Sequence, residues 1–223
     1  MKIVVGSRSS MLAQAQLQEV HEEIVRYSPQ LVFEPFLVET YGDLDQKTSL
    51  RSLDRTDFFT REIDQLLLEG RCRIAIHSAK DLPEPLPKGI VLAAMTKGVD
   101  PSDSLVLRAG ETLETLPKGA LIATSCVRRE EAVAQLRPGL TFRDLRGTIQ
   151  KRLQLLETGE ADGVVVAEAA LIRLQLHHLN RIKLPGATAR HQGRLAIAVR
   201  AGDHEMLDLF AKIDFRAPIS PSR

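Results

Sequence analysis

Short apolar runs of strand type alternate with helix-period segments from one end of the chain to the other, and this alternation restricts the fold more tightly than any other feature. Strands alternating with helices in this way build α/β domains around sheets that are mostly parallel. Ile3-Val4-Val5 reads as a buried strand, and a helix follows near residues 10–26, with Leu12, Gln16, Val20 and Ile24 at helical spacing. A second strand is expected near residues 31–40. Asp57 is placed to cap the next helix, whose apolar stripe is Ile63, Leu66 and Leu67 and whose end is Gly70. Strands at 73–77 and 90–95 complete this first set.

The turn-rich stretch Lys97-Gly98-Val99-Asp100-Pro101-Ser102 marks a crossing to a second domain, where the alternation repeats. Strands are expected at 121–124, 141–143 and 163–167. Ser125 is placed to cap a helix running through Leu136, and Ile149, Leu153 and Leu156 share one face of another helix that Gly159 follows. A loop rich in proline, glycine and basic residues covers 184–193, then a strand at 195–199 and a helix at 204–213 close the pattern. The chain is expected to cross back at that loop. Domain 1 would then be residues 1–97 plus 194–217, domain 2 residues 98–193, and 218–223 a polar, disordered tail.

The 223 residues suffice for one large domain or two modest ones. With 30 basic and 29 acidic residues the net charge is only +1, so any anion-binding role must come from local clustering. Tryptophan is absent and aromatics make up 4%, which argues against a base-stacking surface for single-stranded nucleic acid. No apolar run approaches the ~20 residues that span a bilayer. The N-terminal residues pass straight into a strand without the apolar core of a signal peptide. Cys72 and Cys126 have neither metal nor redox spacing, and two cysteines make no disulfide framework. The expectation is a soluble, cytoplasmic, monomeric protein with free thiols and no membrane, nucleic-acid or metal partner.

In open sheets of parallel strands, ligands bind beyond the carboxyl ends of the strands, where helix N-termini also point. Four segments put charged residues there. Arg8 follows the first strand; Arg128 and Arg129 follow Thr124-Ser125-Cys126; Arg146-Gly147-Thr148 occupies a third strand-to-helix turn, with Arg152 about one turn further on; and His77-Ser78-Ala79-Lys80-Asp81 follows an apolar strand. Each alone reads as solvated surface, and His77 as a hydrogen-bonded core histidine, but topology would gather the arginines in one cleft. His177-His178 reads as surface. Neither GxxxxGK[ST] nor GxGxxG occurs, which disfavours nucleotide cofactors. The residues thus describe a two-domain α/β protein whose cleft binds a polyanion around one carboxylate, and they name no reaction.

The same segments resemble the porphobilinogen deaminase (hydroxymethylbilane synthase) family. Residues 8–16, RSSMLAQAQ, resemble its R-x-S-x-L-A-x-x-Q; residues 59–63, FTREI, its F-x-K-E-L; and residues 77–83, HSAKDLP, its H-S-x-K-D-x-P. Residues 124–129, TSCVRR, resemble T-S-S-x-R-R; residues 145–153, LRGTIQKRL, resemble L-R-G-N-x-x-T-R-L; residues 167–174 resemble A-x-A-G-L-x-R-L; and Gln192-Gly193 resembles Q-G-A. The resemblance implies two hinged α/β domains of the type II periplasmic-binding-protein-like kind with the active-site cleft between them. It implies a transferase of tetrapyrrole (porphyrin, heme) biosynthesis that joins four porphobilinogen molecules head to tail, releasing ammonia, on a dipyrromethane cofactor.

By resemblance Asp81 is the catalytic residue. Arg8, Ser10, Lys80, Thr124, Ser125 and Cys126 would contact the cofactor, as would Arg128, Arg129, Arg146, Gly147 and Arg152. Arg8, Arg146, Arg152, Arg173 and Gln192 would contact substrate. The chemistry is consistent, because the pyrroles carry acetate and propionate groups that arginines bind through paired hydrogen bonds. Departures from the family pattern are Asp54-Arg55-Thr56-Asp57 in place of a glycine- and lysine-rich loop, and Cys126, Thr148, Ala170 and Arg194 in place of serine, asparagine, glycine and alanine. The family's third, C-terminal domain, which carries the cofactor cysteine, is expected to be absent. The mode of cofactor attachment stays open, with Cys126 either a surrogate anchor or a small residue lining the cleft. An alternative is a protein that binds tetrapyrrole precursors without turning them over.

Overall fold

The computed structural model describes residues 1–45, 47–49, 51 and 56–216; the expectations for Asp54-Arg55 and for the tail 218–223 lie outside the described residues. Two five-stranded sheets form the frame. In the first, β1 (Lys2–Arg8), β2 (Val32–Val38), β3 (Ile74–Ser78) and β4 (Ile90–Met95) are joined by β10 (Leu195–Arg200), in the order β2-β1-β3-β10-β4. In the second, β5 (Asp103–Leu107), β6 (Leu121–Ala123), β7 (Thr141–Arg143), β8 (Gly163–Ala167) and β9 (Arg181–Lys183) lie in the order β7-β6-β8-β5-β9.

Both sheets are mixed rather than mostly parallel. Four of the eight strand pairings run antiparallel, and all four involve β5 or β10. The cause is where the chain crosses. β10 begins at Leu195 opposite Ser78, the last residue of β3, and β5 begins at Asp103 opposite Ala167, the last residue of β8. Each crossing strand therefore enters its sheet at the carboxyl ends of its neighbours and must run against them.

Among the described residues seven α-helices cover the sheets: α1 (Met11–Ile24), α2 (Tyr41–Leu44), α3 (Arg61–Leu68), α4 (Val127–Leu136), α5 (Ile149–Glu157), α6 (Glu168–Arg173) and α7 (His204–Phe210). Ser10 caps α1 by accepting the Ala13 amide at 3.2 Å, which starts the helix immediately after β1. Two expected caps fall elsewhere. Thr60, not Asp57, is the cap residue of α3, and Asp57 spends its carboxylate on Arg61 at 2.8 and 2.9 Å. Cys126, not Ser125, is the cap residue of α4, because the Ser125 hydroxyl donates to the Leu145 carbonyl and accepts the Leu145 amide.

Each sheet is buried on both faces. Ile74 and Ile76 of β3 join Ile3, Val20, Ile24, Ile197 and Phe210 beneath α1 and α7, while Ala75 faces Ile63, Leu67 and Cys72 beneath α3. Val164 and Val166 of β8 pack with Ile149 and Leu171, and Val165 between them packs with Ile122 and Val133. This two-sided burial is why β8 is apolar throughout instead of alternating. Among the described residues no helix is long and apolar enough to cross a membrane. Phe210 is fully buried, and Phe210→Ala is expected to destabilise the protein by about 3–5 kcal/mol. Urea denaturation checks this, and an unchanged midpoint would place the first sheet's main packing elsewhere.

Candidate active site

The carboxyl ends of β1, β3, β6, β7 and β8 converge, as do the loops and helix starts that follow them. Between them lies a cavity of about 320 Å³. Of the residues singled out in the sequence, Arg8, Ser10, Lys80, Asp81, Arg129, Arg146, Gly147 and Arg152 line it. Gly147 has a φ of 87°, a left-handed conformation suited to glycine, and it turns the chain from β7 into α5. Asp81 closes a short 3-10 turn (Ala79–Asp81) directly after β3, so the strand aims it into the cavity mouth.

The site is electrically unbalanced. Six cationic side chains line it (Arg8, Lys80, Arg129, Arg146, Lys151, Arg152), against three carboxylates (Glu39, Asp43, Asp81). Arg8 is bound to Asp43 through both oxygens, with the Nε contact at 3.1 Å, and its guanidinium stacks 4.7 Å from the centre of the Phe59 ring. Burial works to raise the Asp43 pKa, but Arg8 and Thr40 overcome it and hold the carboxyl below its usual range. Arg146 donates to the carbonyls of Gly42 and Asp45, while its buried Nε has no hydrogen-bond partner among the described residues. Burial lowers its pKa, the Arg8 charge adds to the effect, and Asp45 opposes it.

Arg152 is the most frustrated of the set. Its Nε donates to the Gly147 carbonyl at 2.8 Å. Burial, then the charges of Arg129, Arg146 and Arg8, push its pKa down to about 10. Burial and Arg129 likewise lower the Lys80 pKa, with Asp81 and Asp103 opposing. Such a surplus of half-buried positive charge, together with an orphaned Arg146 donor, fits a polycarboxylate such as dipyrromethane bearing acetate and propionate groups.

The other predicted residues lie around the cavity rather than on its wall. Arg128 and Arg129 share Asp103, which accepts at 2.7 Å from Arg128 and at 2.9 and 2.6 Å from Arg129. Gln192 donates to the same carboxylate at 2.9 Å and accepts weakly from Lys80 and Arg129, each at 3.4 Å. Arg173 makes a bidentate bond to Glu19 of α1 at 2.7 and 2.9 Å and donates to the Gly193 carbonyl. Thr124 is fully buried with a hydroxyl unpartnered among the described residues, Ser125 braces Leu145, and Cys126 is half-buried at the start of α4. His77 is buried as expected, yet its Nε2 makes no hydrogen bond among the described residues.

Sequence reading missed Asp103, Asp43 and Glu19 as parts of this site, and it carried Phe59 only as the first residue of the F-x-K-E-L resemblance. For Asp103 the signal was a strand, Asp103–Leu107, directly after the Asp-Pro-Ser turn; Asp43 and Glu19 had no local signal, because their arginine partners are 35 residues away or more.

Comparison with known proteins agrees with this geometry. The fold is shared with a lipoprotein of the YaeC family from Enterococcus faecalis (TM-score 0.59, 14% identity, 96% of this chain and 91% of that one). It is shared also with the BenM effector-binding domain (TM-score 0.54, 16% identity, 98% and 96%). The architecture is that of the type II periplasmic-binding-protein-like class, an α/β fold of two mixed-sheet domains.

A family model described as porphobilinogen deaminase, dipyromethane cofactor binding domain, matches residues 3–208. The porphobilinogen deaminase of Synechococcus elongatus is 38% identical over 95% of this chain and 68% of its own length. That of Thermus thermophilus is 41% identical over 90% of this chain and 66% of its own length. The chain belongs to the porphobilinogen deaminase family, and it spans about two thirds of the length of these relatives.

Two expectations follow from the electrostatics. Cys72 is buried and its thiol is pushed up to about 11, chiefly by burial, so iodoacetamide at pH 8 should label Cys126 and spare Cys72 in the native protein. Peptide mass spectrometry reads the outcome, and equal labelling would contradict the packing beneath Gly6. Arg152→Leu removes a buried, poorly paired cation, and should raise the Tm of the ligand-free protein while weakening porphobilinogen binding. A lowered Tm would make the guanidinium a structural element instead.

Proposed function

We propose that the protein is a porphobilinogen deaminase in activity as well as in family, condensing four porphobilinogen molecules stepwise into hydroxymethylbilane with release of ammonia. The observation that carries this reading is the placement of Asp81 directly after β3, at a cavity wall where cations outnumber carboxylates by six to three. Arg8, Lys80, Arg129, Arg146 and Arg152 bind the acetate and propionate groups, and their geometry fixes which pyrrole carbon faces Asp81. Arg128 acts from behind, sharing Asp103 with Arg129. Dipyrromethane, when bound, supplies the pyrrole that the first substrate joins, and the residues that would hold it are this same cationic set.

Asp81 performs two tasks. Loss of ammonia leaves positive charge on the substrate's pyrrole, which a carboxylate close by stabilises, and the acceptor carbon later gives up a proton that the same carboxylate takes. The surrounding arginines keep water from competing for those positions by occupying them with bound carboxylates. The reading includes a division into 1–97 plus 194–217 and 98–193, supported by β10 lying in the first sheet. It also includes a cytoplasmic setting, supported by the two free thiols among the described residues, and a monomer, which sedimentation velocity tests.

Asp81→Asn should lower kcat by about 100-fold or more, within the range of general acid–base contributions, with KM little changed. The assay is porphobilinogen consumption with detection of the linear tetrapyrrole, using protein from a host without its own deaminase. Wild-type turnover that Asp81→Asn matches would remove Asp81 from the chemistry. Porphobilinogen binding with no wild-type turnover would identify a binding protein instead.

A further inference from the structure

Beneath the floor of the cleft lies a second cavity of about 20 Å³, lined among others by Arg8, Gln16, Thr60, His77, Ser78 and Asp81. Arg8, Gln16, Ser78 and Asp81 also line the main cavity, so Asp81 stands between the two. A volume of this size admits one water molecule, which needs roughly 10–15 Å³ by the same kind of measure. The hollow is polar where it matters. Thr60 Oγ1 and His77 Nε2 are both buried and both lack a hydrogen-bond partner among the described residues. Thr60 is 1% exposed and His77 5%, so bulk solvent does not satisfy them.

Beside His77 Nε2 stands Asp64 of α3, itself 5% exposed. Its Oδ1 lies 3.3 Å from His77 Nε2, out of line for a hydrogen bond, and its Oδ2 is also unpartnered among the described residues. Thr60 precedes α3, yet its side chain makes no cap bond there, so the hydroxyl has no local structural duty. Buried polar atoms are almost always matched, and unmatched atoms converging on one hollow mark a site for a polar guest. Gln16, held by its bond to Ser78 Oγ at 2.9 Å, walls the hollow off from solvent on the α1 side.

We infer that this cavity binds one water molecule, held by Thr60 Oγ1 and His77 Nε2, and that the water joins Asp81 to the buried His77–Asp64 pair as a store for the proton released in each condensation. The inference rests on the deaminase reading above and deepens it. In each condensation porphobilinogen enters with its aminomethyl group as the ammonium, the C–N bond breaks with its electron pair going to nitrogen, and the nitrogen leaves as ammonia. A C–C bond forms between that methylene and the free α-carbon of the acceptor pyrrole. The α-carbon then loses its proton, and the C–H electron pair returns to the ring; no oxidant or reductant is needed. That proton passes to the Asp81 carboxylate, and through the water to the His77–Asp64 pair, whose Nε2 and Oδ1 face each other at 3.3 Å. Asp81 is thereby a carboxylate again when the next substrate arrives. The proton leaves when the cleft opens to solvent. His77 reaches the reacting atoms only through Asp81, so it is a positioning residue and not a catalytic one.

Two measurements that need no turnover come first. A high-resolution crystal structure should show an ordered water within about 3.2 Å of both Thr60 Oγ1 and His77 Nε2. The imidazole 15N resonances of His77 in the ligand-free protein should shift on Asp81→Asn. A dry cavity, or a His77 signal indifferent to Asp81→Asn, overturns the inference. In the turnover assay His77→Gln should lose about 100-fold in kcat with KM unchanged. If that variant fails to fold, Thr60→Val, which keeps the side chain's shape, should show the same split. Full kcat in the folded variant overturns the storage role. A wild type that holds the water and couples His77 to Asp81, yet consumes no porphobilinogen, refutes the deaminase reading and with it the storage role, while establishing the water site.

Discussion

Asp103 accepts hydrogen bonds from Arg128, Arg129 and Gln192 at the residue where the chain enters the second sheet, and it is 1% exposed. One carboxylate thereby ties together the outward crossing, the start of α4 and the end of the loop that leads back to β10. Burial alone would raise its pKa, but the two guanidiniums and the Gln192 amide hold it below its ordinary value. Leaving a buried charge without its partner costs about 3–5 kcal/mol. The arginine positions, and through them the shape of the cleft, therefore depend on this carboxylate. Because it carries one negative charge against two guanidiniums, it anchors the arginines without neutralising them.

The rest of the cleft follows the same design. Arg8 is held by Asp43 and Phe59, Arg146 by two backbone carbonyls and the Phe58 and Phe59 rings, and Arg152 by the Gly147 carbonyl. Carbonyls and ring faces orient a guanidinium but do not cancel its charge. The ligand-free protein accordingly accepts unfavourable electrostatics at one place in exchange for preorganised binding there, although the chain as a whole carries a net charge of only +1.

Local pattern in the sequence was sufficient for α1, whose Leu17, Val20 and Ile24 are buried, and for β8, whose unbroken apolar run reflects burial on two faces. It also located the arginines at the strand ends, since a residue's place along its own element is a local property. It could not supply their partners: Arg173 meets Glu19 across 154 positions, and Arg129 meets Asp103 across 26. The mixed character of the sheets was hidden for the same reason, because strand direction depends on where a distant segment returns. Caps failed on competition: Asp57 and Ser125 were sound candidates, but Arg61 and Leu145 offered their side chains better bonds.

The insertion of β10 between β3 and β4 bears on how the protein is made. As the chain leaves the ribosome, β1 to β4 emerge first, but the slot between β3 and β4 stays open until residues near 200 follow. The second sheet has all its strands by Lys183 and can close while the first is still incomplete. The segment made first is thus the last to be finished. Its exposed β3 edge is the surface most in need of a chaperone during synthesis.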